Sequence, residues 1–241
     1  MNIEIEVRNR PLLVINYKVY PTSFGKKGLQ IAKAAEKVYR ELGRDVLIII
    51  APPATEIRYL SELVEVPIFA QHADPIDMGA GTGYLPMEVL KDAGASGIIL
   101  NHSEHKLRLS EIEFNIEKAR KLGLVTLVCA DTPKVAGAIA ILNPNIIAVE
   151  PPELIGTGVA VSKAKPEVVT NTVKIIRQIN KEIVILTGAG ISEAEDVKAA
   201  IRLGTTGVLV ASAIMKAKDP AKVINEMAEA AISEYYRKGR D

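Results

Sequence analysis

The feature that most constrains this chain is a short apolar run that recurs eight times. The runs are Leu12–Ile15, Val46–Ile50, Val66–Ala70, Gly97–Leu100, Leu124–Val128, Ile146–Val149, Ile183–Leu186 and Gly207–Val210. Each is four or five residues long and rich in β-branched side chains. A strand with one wet face would alternate apolar and polar residues. These do not, so they fit strands buried on both faces of a parallel sheet.

Helical spacing fills the gaps. Lys27–Leu42 places Ile31, Ala34, Ala35, Val38 and Leu42 on one face, and Leu109–Leu122 does the same with Ile112, Ile116, Ala119 and Leu122. Pro166–Asn180 and Ala221–Tyr236 repeat the pattern, and Pro86–Ala93 and Glu193–Leu203 are shorter versions. Gly43, Gly94, Gly123 and Gly204 each stand just past a helix, where a left-handed cap favours glycine. Strand and helix alternate with no linker across 241 residues. Eight such units predict an α/β fold, a single (β/α)8 barrel spanning residues 1–241 as one domain. A doubly wound open sheet is the competitor. It usually has fewer strands and a Gly-rich first turn, and neither matches. Ahead of the first run, Ile3, Ile5 and Val7 alternate with Glu4, Glu6 and Arg8, which predicts a short strand or an ordered tail.

Composition narrows the partners. Lys+Arg is 30 and Asp+Glu is 29, a net charge of +1, which argues against a nucleic-acid partner. One Cys and three His, the latter all between positions 72 and 105, predict no disulfide and no metal site. No run approaches the roughly 18 apolar residues of a membrane span, and no signal-like stretch opens the chain. The expectation is a cytoplasmic protein with no membrane partner.

In a (β/α)8 barrel the chemistry gathers where strands end. Asn16-Tyr17-Lys18 follows the first run, Asn101-His102-Ser103-Glu104-His105 the fourth and Glu150 the sixth. A Lys, a His and a Glu therefore leave three strands toward one mouth. Thr187-Gly188-Ala189-Gly190 and Ala211-Ser212-Ala213 follow the last two runs, each ahead of a helix. Small residues there let backbone N–H groups approach an anion, which predicts a phosphorylated ligand. Glu150-Pro-Pro-Glu-Leu-Ile-Gly-Thr-Gly158 is stiff at its start and permissive at its end, as a lid would be; the plain alternative is a surface loop. Each candidate also has an ordinary explanation. Lys18 alone is a surface lysine and His102 alone a structural histidine. Glu150 is harder to dismiss, because a carboxylate at a buried strand end is costly without a partner or a task. His72 and His105 are expected to be loop residues, and Cys129 a small buried apolar one.

Asn16-Tyr17-Lys18, Asn101-His102-Ser103-Glu104 and Glu150–Gly158, in that order and at strands one, four and six, resemble the three main motifs of triosephosphate isomerase. The resemblance runs from about Leu12 to Ala213. It implies a TIM barrel that interconverts D-glyceraldehyde 3-phosphate and dihydroxyacetone phosphate through an enediol(ate), with no metal or organic cofactor. It implies Glu150 as the base, His102 as a neutral electrophile, and Lys18 and Asn16 as substrate contacts. Ile155 and Gly156 would close from the lid. Gly190, Ala211 and Ser212 would give backbone donors to phosphate, and Asn101, Ser103 and Glu104 would support the polar network. Asp77–Tyr84 resembles the family's interdigitating subunit loop, with Thr82 at its tip.

The chain departs from the commoner pattern in four places. Pro151-Pro152-Glu153 stands for Pro-Val-Trp, His105 for Arg, Thr187-Gly188-Ala189-Gly190 for Tyr-Gly-Gly-Ser, and Ala211-Ser212 for Gly-Gly. These substitutions resemble the compact archaeal branch, which implies a homo-oligomer, a tetramer over a dimer. Only three Gln among abundant Glu, Lys and Ile point toward a thermophile. The rival functions are another phosphate-binding barrel enzyme, such as an epimerase or an indole- or thiamine-pathway enzyme, and a non-catalytic phosphate-binding barrel.

Overall fold

The computed structural model describes residues 3–150 and 166–238. The eight runs form eight parallel strands: β1 (Leu12–Asn16), β2 (Leu47–Ala51), β3 (Phe69–Ala70), β4 (Gly97–Leu100), β5 (Val125–Ala130), β6 (Ile146–Val149), β7 (Val184–Thr187) and β8 (Gly207–Val210). Their order is β2-β1-β8-β7-β6-β5-β4-β3, and a bridge between Ile50 and Ile68 brings the two ends together. That makes a single (β/α)8 barrel. Every strand residue is buried, as uninterrupted β-branched runs require when a barrel interior lies on one side and helices on the other. At the seam between β8 and β1 the backbones approach so closely that a Cβ on Gly207 would fall 2.0 Å from the Leu12 carbonyl oxygen. Only glycine fits there.

The helices are α1 (Ile3–Asn9), α2 (Gly25–Glu41), α3 (Ile57–Ser61), α4 (Met87–Asp92), α5 (Leu109–Leu122) and α6 (Pro133–Ile141), then α7 (Pro166–Ile179), α8 (Ala194–Arg202), α9 (Ser212–Met215) and α10 (Pro220–Lys238). The four glycines expected as caps all have left-handed φ. Three differences from the sequence reading have physical causes. Ile3–Asn9 is a helix, not a strand or tail. Ile3 and Val7 are also four residues apart, and Glu4–Arg8 and Glu6–Arg10 are helical ion pairs at 3.2 and 3.0 Å. Its Val7 is fully buried. β3 keeps only Phe69–Ala70 in the ladder, because Pro67 has no N–H to donate. Two helices with no strong periodicity also appear. α3, preceded by a 3-10 turn at Ala54–Glu56, is too short to show one, and α6 (PKVAGAIAI) is apolar nearly all round.

No helix of the described residues is long and apolar enough to cross a membrane. The Glu4–Arg8 helix and the strand starts lie at one end of the barrel, and the polar strand ends at the other.

Candidate active site

β6 ends on Glu150, whose N–H donates to the Ala130 carbonyl at 2.8 Å, so the ladder still fixes its backbone. The side chain is 2% exposed. Burial pushes its pKa up to about 7; the Cys129 thiol, the Ser103 N–H and the ammonium groups of Lys18 and Lys106 pull the other way. Its Oε2 has no hydrogen-bond partner among the described residues, and neither have the Ser103 and Thr187 hydroxyls nearby in the chain's mouth-forming segments. Gly188 makes room for this carboxylate. A Cβ there would lie 2.7 Å from the Glu150 Cγ.

His102 follows β4. Its Nε2 lies 3.3 Å from Glu150 Oε1. Its Nδ1 accepts the Glu104 N–H at 3.1 Å, which puts the ring hydrogen on Nε2. Burial, then the Lys18 ammonium, holds its pKa well below the usual imidazole range; Glu104 opposes this. The donor belongs to a tight turn closed by His105 N–H to the His102 carbonyl at 2.8 Å; the nearest helix, α5, begins only at Leu109. Asn101, with φ 57°, donates to the Cys129 carbonyl at 2.9 Å and accepts the Leu107 N–H at 3.0 Å. The segment's two ends are thereby pinned together.

Lys18 follows β1 in a left-handed conformation, φ 47°, and its N–H donates to Asn16 Oδ1 at 2.9 Å. A non-glycine residue held there is strained, which fits a site that fixes its side chains in advance. Its ammonium reaches Glu104 Oε1 at 2.8 Å. The cleft above is about 70 Å³ and includes Asn16, Lys18, His102, Glu150, Gly190 and Ser212 in its lining. Ala211 also lines it, and the N–H groups of Gly190 and Ala211 donate to nothing among the described residues. A larger cleft of about 120 Å³ under the opposite end holds Arg8 and Arg120, but these already bind Glu4 and Glu182, and the Asn143 carbonyl. Size does not choose the site; free donors beside a buried carboxyl do.

The structure thus brings together Asn16, Lys18, His102, Glu150, Gly190, Ala211 and Ser212, with Asn101, Ser103 and Glu104 behind them. Ile155 and Gly156 lie outside the described residues. Thr82 is exposed on its loop with Met78 and Tyr84 and is not among the cleft's lining. Cys129 is buried as expected, but it does more than fill space, since its thiol helps hold down the pKa of the Glu150 carboxyl. Its place at a strand end beside β6 was the available signal. Among the described residues no group of three or more His, Cys, Asp or Glu could hold a metal ion.

Fold and site together define a (β/α)8 barrel whose strand ends bring a carboxyl and an imidazole into contact beside two small-residue loops. The comparisons narrow that class. A family model described as triosephosphate isomerase matches residues 11–227. The triosephosphate isomerase of Caldivirga maquilingensis is 51% identical over 219 residues, 91% of this chain and 96% of that protein. That of Methanocaldococcus jannaschii is 50% identical over 216 residues, 90% and 98% of the two chains. The chain belongs to the triosephosphate isomerase family, and its function is that of a triosephosphate isomerase.

Proposed function

We propose that the chain interconverts D-glyceraldehyde 3-phosphate and dihydroxyacetone phosphate with Glu150 moving the proton between C1 and C2 and His102 polarising the carbonyl. The observation that carries this is the 3.3 Å approach of Glu150 Oε1 to His102 Nε2. A proton α to a carbonyl is weakly acidic. The base must be strong and dry, and the oxyanion needs a donor that does not give up its proton too easily. A buried carboxyl with a pKa of about 7 is such a base near neutral pH. An imidazole kept neutral by burial, with its Nδ1 accepting an amide so that Nε2 carries the hydrogen, is such a donor.

Lys18 supplies positive charge beside the developing oxyanion, and Asn16 a hydrogen bond. Phosphate sits on the N–H groups of Gly190, Ala211 and Ser212, drawn by unpaired backbone donors. Ile155 and Gly156 close over the enediolate, and dryness then protects it from phosphate loss. Asn101, Ser103 and Glu104 support this network. The reaction requires no metal or organic cofactor.

The same reading extends to assembly. The exposed Met78, Tyr84 and Val19 near Thr82 and Lys18 support a homo-oligomer in which Thr82 reaches a neighbouring copy, a tetramer over a dimer. A cytoplasmic place and a heat-adapted source complete it.

The test follows formation of dihydroxyacetone phosphate from D-glyceraldehyde 3-phosphate with a coupled dehydrogenase in metal-free buffer. Turnover is expected, and Glu150→Gln should lower kcat by about 10²–10⁴-fold or more while still binding a phosphorylated inhibitor. A wild-type chain without turnover would reject the proposal. Full activity in Glu150→Gln would reject the base.

A further inference from the structure

We infer that His72 and His105 form a positioning pair for His102, holding the turn whose amide bonds its Nδ1; the inference rests on the isomerase reading above. The critical contact is Glu104 N–H to His102 Nδ1 at 3.1 Å. A hydrogen bond weakens steeply with distance and angle, so the turn that carries this amide has to stand still. At its base the turn is pinned by Asn101, which bonds both the Cys129 carbonyl and the Leu107 N–H. Its outer part, Glu104-His105-Lys106, is exposed. Lys106 meets Asp131 at 3.3 Å, but an exposed ion pair is a weak restraint.

The His105 ring provides a better one. It stacks on His72 with centroids 3.9 Å apart and planes 19° from parallel. His72 is itself fixed, its Nε2 lying 3.2 Å from Asp74 Oδ1. Asp74 in turn accepts the Leu85 N–H at 2.6 Å through Oδ2, and its own N–H donates to the Leu85 carbonyl at 3.0 Å. The turn therefore leans on a segment after β3 that is closed on itself. Neither ring touches the reacting atoms in this arrangement; they act through Glu104.

His72 faces Asp74 and His105, with Glu111 of α5 nearby, and burial is the largest influence, holding its pKa below the usual imidazole range. His105 stands beside Asp74, with Glu104 and Lys106 as chain neighbours.

The test compares His105→Ala with His105→Phe, which keeps a flat ring without the ring nitrogens. For each, kcat and KM for D-glyceraldehyde 3-phosphate are measured at pH 7.5, and the His102 ring nitrogens are followed by 15N NMR. His105→Ala should lower kcat roughly three- to tenfold with KM within about twofold, as expected when only the transition-state geometry is disturbed. Its His102 Nδ1 signal should lose the signature of an amide-bonded, unprotonated nitrogen. His105→Phe should restore both. Wild-type kcat and an unchanged His102 signal in His105→Ala would overturn the inference, as would a Phe variant no better than Ala. An inactive wild-type chain would instead reject the isomerase reading, while the His102 spectra still decide the positioning.

Discussion

Glu150→Gln should stabilise the folded chain at alkaline pH while abolishing its chemistry, and the pH dependence of the gain can be worked out in advance. The carboxyl is 2% exposed and its pKa rises from the ordinary 4.5 to about 7 on folding. Below the unfolded value both states are protonated, and the shift costs nothing. As pH rises through 4.5 the unfolded chain releases its proton while the folded chain holds it, so the stability contribution is lost progressively up to about 7. Above that the cost is level at about 3 kcal/mol, since one unit is worth about 1.4 kcal/mol. Gln carries no such charge. Whatever packing or hydrogen-bond changes the amide introduces are the same at every pH. The gain at pH 8.5 minus the gain at pH 5 therefore isolates ionisation, and it should be about 2–3 kcal/mol. Denaturant unfolding of both proteins at the two pH values, at one fixed protein concentration, measures it. A difference near zero would refute the claim that this base is raised by burial.

Three further outcomes follow from the same geometry. The profile of kcat/KM should rise with pH through about 7, above the second ionisation of a substrate phosphate at about 6; a limb confined to pH 6 or below would contradict the raised carboxyl. Gly188→Ala places a Cβ 2.7 Å from Glu150 Cγ and must displace the base. A loss in kcat of about 10²-fold is expected from steady-state assays, and an unchanged kcat would show that the carboxylate can work from elsewhere. Val7→Ala, in the fully buried position of α1, should cost about 2 kcal/mol and lower Tm by roughly 4–8 °C with kcat unchanged; an unchanged Tm in thermal unfolding would mean that α1 does not belong to the cooperative fold.

The barrel was legible because burial on both faces leaves a mark that no other strand type leaves, an apolar run without alternation. All eight strands carry it. Helices were legible only where one face is polar. α2 and α5 declare their period, whereas α6, apolar nearly all round, presents nothing for a period to contrast with. Ile3–Asn9 shows the opposite failure. Residues 3, 5 and 7 satisfy a period of two, while 3 and 7 alone satisfy a helix, and the ion pairs at i,i+4 decide between them. For the site, strand-end position singled out Lys18, His102 and Glu150 well. It did not show Cys129 acting on Glu150, because that influence runs sideways across the sheet between β5 and β6. Nor could it show His72 lying on His105, since the two are brought together only by neighbouring loops closing over β3 and β4.

One residue joins the electrostatics of the site. The carboxylate of Glu104 holds the Lys18 ammonium at 2.8 Å, and its backbone N–H holds His102 Nδ1 at 3.1 Å. In the proposed mechanism the cation beside the oxyanion and the neutral donor to it are thus set by the same exposed turn. That arrangement explains how a chain with a net charge of +1 can handle an anionic substrate. A basic surface would attract phosphate from a distance, but it would also attract other anions. In that mechanism the attraction comes from Lys18, whose side chain is 15% exposed, and from backbone N–H groups without partners among the described residues, both acting at contact distance. Burial at the same mouth raises Glu150. Holding the phosphate locally and strengthening the base are therefore two consequences of one buried mouth, and a change that lets water in should weaken both together.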